Sequence, residues 1–246
     1  MSETINVGSN CWNQQALHEV FYTQGCERSS WLEHYASVFN HVEINESFYK
    51  LPSREQILTW LQATPDDFQL TLTAPRTISH YKKLKNCETQ LTQMFTRLNG
   101  MEDRIHSILF CLPQHWRVNL RRLSEFLERL SSAFRYVIEP GDNSWLNDDV
   151  FAVLKRHNIA LCLRGETWAR RSLATTADFV YVKLTSNPSS ATGRYHPRTL
   201  RGWAFKAKGL QREGKRVTFS FSGADPVAAT KNAIQLRNQL AGASTS

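Results

Sequence analysis

Glu43 and Asn45 stand two residues apart in the run His41-Val42-Glu43-Ile44-Asn45. In a strand that spacing puts both side chains on one face. Val42 and Ile44 give Glu43 an apolar setting, where a carboxylate is kept neutral or needs a cation beside it. Such a group suits general acid or base work. The alternative is a structural carboxylate paired with an interior Arg or Lys. Arg76 follows Pro75 at the end of another apolar run. Its planar fork suits a two-point grip on a carboxylate or phosphate, or an ion pair to Glu43 or Glu139. Glu139 closes a fifth run, so Glu43, Arg76 and Glu139 are expected to form one charged cluster. His80 could shuttle protons near neutral pH; a loop histidine is otherwise simply exposed.

Two carboxylates on different strands also admit glycoside hydrolysis. Glu43, His80, Glu139 and Asp142 admit a metal, but they are scattered and of mixed type, so no metal and no cofactor is expected. Lys183 and Ser222 end later strands, and Arg194 follows Lys183 in a long polar loop, as in barrels that take phosphate on that side. Asp225 opposes an anion there, because Asp225-Pro226 reads as a helix cap followed by a proline in the first turn.

These residues need positioning elements. Strand-like runs fall near 5–9, 41–45, 68–74, 105–112, 135–139, 158–163, 178–184 and 216–222. They are rich in Val, Ile, Leu and aromatics, as in strands buried on both faces of a parallel sheet. Amphipathic segments alternate with them. Ser30 to Glu33 and Ser53 to Gln56 read as capping boxes; Asn119 and Asn147 precede helical stripes, and a further helix is expected from Thr199 to Glu213. Eight such units predict an α/β fold, a (β/α)8 TIM barrel forming a single domain over 1–246. An open doubly wound sheet is the competitor, but Gly8-Ser9-Asn10-Cys11-Trp12 is not a dinucleotide loop. There is no P-loop, no His-Glu-x-x-His and no Gly-x-Ser-x-Gly.

Composition narrows the classes further. The chain has 246 residues, 41% hydrophobic and 21% charged, which excludes disorder. No run of about 18 apolar residues offers a membrane span. The start lacks a signal-peptide pattern, and five cysteines show no metal spacing, so a cytoplasmic protein with reduced thiols is expected. Cys111 and Cys162 read as small packing groups. Net charge is +8, unevenly spread. Residues 1–150 hold 14 Lys and Arg against 18 Asp and Glu; residues 151–246 hold 16 against 4. Arg164, Arg170, Arg171, Lys206, Lys208, Arg212, Lys215 and Arg216, with Trp168, Tyr195 and Trp203, admit a nucleic-acid surface. No binding module is recognised, and Trp203 reads as core, so nucleic acid is possible but not favoured.

The run Trp31-Leu32-Glu33-His34-Tyr35-Ala36, then Phe39 and Val42-Glu43-Ile44-Asn45-Glu46-Ser47-Phe48-Tyr49-Lys50-Leu51-Pro52, resembles the YecE-like family, a domain of unknown function. Gly8, Trp12, Val20-Phe21-Tyr22, Ala74-Pro75-Arg76 and His80 extend it. The resemblance implies a TIM barrel and no reaction. It adds Tyr49 and Trp145 to the candidate ligand-binding residues. The chain departs from the family pattern at Thr73, Cys111, Pro140 to Asn143, Lys183 to Ser186 and Phe221 to Ala224, all near strand ends. A changed ligand and a lost activity are both consistent with that. The leading expectation is an enzyme or binder for a small carboxylated or phosphorylated ligand at the C-terminal mouth. In it Glu43 is acid or base, Arg76 the clamp, and Asn45 and Glu139 position. The alternatives are a polyanion binder using the basic 155–216 region, and a scaffold whose site is degenerate.

Overall fold

In a computed structural model, which describes residues 5–165, 175–185, 190 and 192–242, eight parallel strands close on themselves in chain order. They are β1 Ile5–Ser9, β2 His41–Ile44, β3 Gln69–Thr73, β4 Ile105–Cys111, β5 Tyr136–Glu139, β6 Ala160–Arg164, β7 Phe179–Thr185 and β8 Arg216–Ser222. Each pairs in parallel with the next, and β8 pairs with β1, with Ile5 opposite Val217 and Ser9 opposite Phe221. The expected (β/α)8 barrel is therefore the fold.

Alternation along each strand sorts side chains between the helices and the lumen. Val42, Ile44, Leu72, Ile108, Phe110, Ile138, Val182, Phe219 and Phe221 are buried under the helical shell. Burial of each such side chain is worth roughly 1.5–3 kcal/mol. The helices are α1 Trp31–Val38, α2 Arg54–Gln62, α3 Glu88–Leu98, α4 Leu120–Leu127, α5 Asp148–Arg156, α6 Pro197–Arg212 and α7 Pro226–Gly242. Ser53, Asn119, Asn147 and Asp225 cap as their positions predict, accepting from Gln56, Arg122, Val150 and both Val227 and Ala228. Ser30 does not cap; it ends a short 3-10 turn that leads straight into α1. The helix α6 starts two residues before Thr199, where His196 accepts from Arg198 and Pro197 follows.

The lumen is divided. Leu109, Val137, Ala160, Cys162, Phe179 and Tyr181 form an apolar half. Opposite them, His41 Nε2 meets the Thr71 hydroxyl at 2.9 Å, and Thr71 meets Ser107 at 3.1 Å. His106 Nε2 meets Thr218 at 2.8 Å, and the Asn6 amide donates to the same hydroxyl at 3.3 Å. A one-residue irregularity in the β3–β4 pairing, between Leu70 and Thr71, accompanies the appearance of both His106 and Ser107 in this network. Burial holds His41 and His106 neutral: it pushes His41 well below the usual imidazole range, helped by His106, and His106 to about 3, helped by Arg135 and Arg216.

Gly8 is the tightest point of the wall. A Cβ on it would stand 1.9 Å from the His41 carbonyl oxygen, which is backbone and cannot swing away. Gly8→Ala is therefore expected to cost about 1–3 kcal/mol, the usual penalty of overpacking, or more because both partners are main chain. Urea unfolding of that variant measures it.

Candidate functional site

The C-terminal ends of β2, β5, β6 and β7 bring four charges together. Lys183 donates from Nζ to Glu43 Oε1 at 2.8 Å and to Glu139 Oε2 at 3.1 Å. Arg164 donates to the other Glu139 oxygen at 3.0 Å. The Tyr181 hydroxyl and the Ser220 hydroxyl donate to Glu43 Oε2 at 2.8 and 2.7 Å, and the Cys111 thiol donates to Glu139 at 3.1 Å. Strand periodicity explains the gathering. Tyr181 and Lys183 are two apart on β7, and both face the lumen.

The electrostatics follow. Burial opposes charge on Glu139, but Lys183, the Cys111 thiol and Arg164 outweigh it and hold its carboxyl down at about 2. Burial likewise opposes the Lys183 ammonium, and the two carboxylates override it, keeping Lys183 firmly protonated. Burial and then Glu43 push the Tyr181 phenol up; burial and then Glu139 do the same for the thiols of Cys111 and Cys162. A protonated lysine is no nucleophile, and these thiols stay protonated too.

Each expected residue has a definite place. Glu43 is fully buried with three donors on its carboxylate. That arrangement is the one expected of the structural alternative. Arg76 does not join Glu43 and Glu139, as the three-residue cluster required. Lys183 takes that place, because β7 points it across the lumen while Arg76 lies beyond the end of β3. Arg76 instead sits 5.3 Å from the ring centres of Tyr49 and Tyr81, which are 71% and 66% exposed. No carboxylate lies within ion-pair reach of it among the described residues.

His80 is partly buried against Phe48, with Ser79 Oγ 3.0 Å from its Nδ1. Burial and then Arg76 lower its imidazole from the usual range. It occupies a single π-helical turn, Thr77–Tyr81, of the kind that recurs at functional sites. Lys83, Leu84 and Asn86 follow with positive φ. Left-handed backbone at three non-glycine residues in one loop stores strain of order 1–3 kcal/mol each, and such strain gathers at functional sites.

Three expectations are corrected. The strand β2 ends at Ile44, and Asn45 has helical backbone angles at the start of a 3-10 turn. The period of two therefore does not carry through it to pair with Glu43. Trp145 is wholly buried, its indole N–H donating to the Trp116 carbonyl at 2.8 Å, so it packs rather than faces a ligand. Arg194 donates to Asn232 and Gln235, which fastens its loop to α7 instead of closing it over the mouth. Ser222 is buried at the end of β8, opposite Thr185. Trp203 is core beside Tyr195. Trp168, Arg170, Arg171 and Ser186 lie outside the described residues.

Tyr181, Ser220, Cys111 and Arg164 were the partners that a pairwise reading of the sequence missed. The available signal was spacing: Cys111 and Arg164 close their strands, Ser220 stands two before the end of β8, and Tyr181 stands two before Lys183 on β7. Two depressions, of about 310 and 1070 Å³, lie at the opposite end of the barrel, among Ile5, Asn6, Gln69, Ile105 and Arg216. In this architecture that end serves stability. Asn40 and Asn158, which line the larger one, are spent locking backbone and Asp178. The charged cluster lies at the other face. No group of three or more His, Cys, Asp or Glu among the described residues could hold a metal. No described helix is long and apolar enough to cross a membrane.

Known proteins agree with this architecture. Over 109 residues the chain is 38% identical to the UPF0759 protein YecE of Escherichia coli K12, a match covering 44% of this chain and 40% of that protein. The match thus spans about two fifths of the relative's length. Among solved structures, a DUF72 family protein from Thermotoga maritima superposes with a TM-score of 0.78 at 21% identity, covering 97% of this chain and 99% of that one. A DUF72 family protein from Enterococcus faecalis gives 0.78 at 15% identity, covering 97% and 96%. Both share the fold. The family model described as Protein of unknown function DUF72 matches residues 6–246, and the chain belongs to that family.

Proposed function

We propose that this barrel binds a small anionic ligand, carboxylated or phosphorylated, at its C-terminal mouth, with Arg76 as the clamp. One observation carries the reading. Arg76 is a partly buried guanidinium with two tyrosine rings against it and no carboxylate partner among the described residues. Two other cations of the mouth are already neutralised: Lys183 by two carboxylates and Arg164 by Glu139. A planar cation pre-oriented by aromatic faces and left without an acidic neighbour is matched to an incoming anion. The ion-paired cluster of Glu43, Lys183 and Glu139 forms a rigid floor. Its role is to fix the strand ends rather than to touch the ligand.

The test is stabilisation by inorganic phosphate and by acetate, compared with chloride at equal ionic strength. The wild-type chain is expected to gain melting temperature saturably with one of them. Arg76→Ala is expected to lose that gain, with affinity falling roughly tenfold or more, as when a charged hydrogen-bond partner is removed. An Arg76→Ala protein stabilised like the wild type contradicts the clamp. Retention on single-stranded DNA or RNA at low salt that survives Arg76→Ala would favour the basic 155–216 region instead.

A further inference from the structure

Seven buried side-chain polar atoms lack a partner among the described residues, and three of them stand at the C-terminal ends of neighbouring strands. They are Trp12 Nε1 after β1, Glu46 Oε2 after β2 and Thr73 Oγ1 closing β3. The other four are dispersed: His41 in the lumen, Gln90 on α3, Thr230 and Gln239 on α7. Hydrogen bonds tie the three ends into one block. The Asn13 amide, next to Trp12, donates to Glu46 Oε1. The Ser47 hydroxyl, next to Glu46, lies 2.7 Å from both the Thr73 and Ile44 carbonyl oxygens. Thr73 shares the face of Thr71, whose hydroxyl meets His41 and Ser107 in the lumen, so its own hydroxyl points up into the mouth. Trp12 is 9% exposed and Thr73 3%, so water reaches neither freely.

Leaving buried polar groups unpaired is costly, and native folds rarely do so without reason. The three atoms comprise one obligate donor, one acceptor and one hydroxyl that can do either. An ammonium would serve Glu46 but face the indole N–H as a second donor. A carboxylate would serve the indole but oppose Glu46. The hydroxyls of a polyol each donate and accept, so they can meet the three atoms one by one. Burial raises the Glu46 carboxyl, against its own amide, Asn13 and Arg28, in keeping with a site built for neutral polar groups. Arg76 lies three residues beyond Thr73, just past the end of β3.

We infer that Trp12, Glu46 and Thr73 form a hydroxyl-binding subsite beside Arg76, so that the ligand is a polyhydroxylated anion, a sugar acid or a sugar phosphate. This rests on the reading of Arg76 as an anion clamp.

Calorimetric titration with paired probes tests it. Gluconate is compared with hexanoate, which has the same carbon count and carboxylate but no hydroxyls, and glucose 6-phosphate with inorganic phosphate. Glucitol supplies the hydroxyls without an anion. Gluconate or glucose 6-phosphate is expected to bind about tenfold or more tightly than its bare counterpart; which of the two does so identifies the anion. The near-isosteric Thr73→Val and the aromatic-preserving Trp12→Phe should each remove most of that preference while leaving hexanoate and phosphate affinity unchanged. Equal affinities in the wild type, or a preference that survives both substitutions, would overturn the subsite and leave its atoms holding a trapped water. If Arg76→Ala leaves the anions unaffected while Trp12→Phe still abolishes glucitol binding, the subsite stands and the clamp falls.

Discussion

Lys183→Met is expected to destabilise the barrel by about 3–5 kcal/mol, the usual cost of removing one partner from a buried ion pair. The Lys183 side chain is 12% exposed, and it bridges Glu43 and Glu139 at 2.8 and 3.1 Å. Methionine fills much the same volume, so the loss measures charge rather than a cavity. Glu139 keeps Arg164 after the change. Glu43 keeps only the hydroxyls of Tyr181 and Ser220. The double variant Lys183→Met/Glu43→Gln should therefore recover more than half of the loss, because it removes the stranded carboxylate along with the cation. Urea unfolding of the four proteins of this cycle gives the coupling energy. A single Lys183→Met variant within about 1 kcal/mol of wild type would mean that the cluster contributes nothing to holding the strand ends together.

Acid should erode the stability of this protein over two overlapping pH ranges, the first opening near the ordinary histidine range. His106 is held at about 3 in the fold against 6.5 unfolded. Between those values the unfolded chain binds a proton that the folded one refuses. Stability is then lost as pH falls from 6.5 toward 3. His41, lowered by burial and by His106, acts in the same direction. Glu139 adds the second range. Its folded value of about 2 lies below its unfolded 4.5, so its contribution is present above 4.5 and disappears as pH falls toward 2. Protonating His106 and protonating Glu139 therefore both cost the folded chain stability as acid is added. No carboxylate among the described residues offsets a protonated His106; Arg135 and Arg216 repel it. His106→Gln, which keeps a hydrogen-bonding partner for Thr218, should flatten the loss of stability between pH 6.5 and 4.5 and leave the lower range in place. Chemical denaturation at a series of pH values reads both ranges. An unchanged profile in His106→Gln would show that the histidine is not the sensor.

Hydrophobic runs made the barrel legible. All eight strands fall within about two residues of the apolar segments that suggest them, because strands buried on both faces leave continuous apolar runs and polar caps mark the helices between. The candidate site was legible only in part. Glu43, Glu139 and Lys183 stand at or near strand ends, and those ends meet by the symmetry of a closed barrel. Which cation reaches which carboxylate depends on lumen-facing phase and side-chain reach. Lys183 therefore takes the ion-pair role that the sequence also allowed Arg76.

Asn45 was misplaced because a strand can stop one residue earlier than its alternation implies. Trp145 and Arg194 carry chemistry-bearing side chains, but Trp116 and α7 consume them, and those contacts are far away in sequence. Cys111 reads as a small apolar filler until the register sets it opposite Glu139. The subsite of Trp12, Glu46 and Thr73 leaves no trace in spacing. It is visible only as atoms that the fold buries and does not pair.

On the proposed function, Arg76 is held ready for an anion. The decisive measurement follows the Arg76 side-chain Nε–H resonance in solution while inorganic phosphate, and separately gluconate, is added at constant ionic strength. Arg121, exposed on α4 and paired with Glu125, serves as the internal control. A saturable shift is expected at Arg76 with one of the two anions, accompanied by shifts in the rings of Tyr49 and Tyr81, while Arg121 stays still. Shifts that are linear in anion concentration and equal at Arg76 and Arg121 would contradict it.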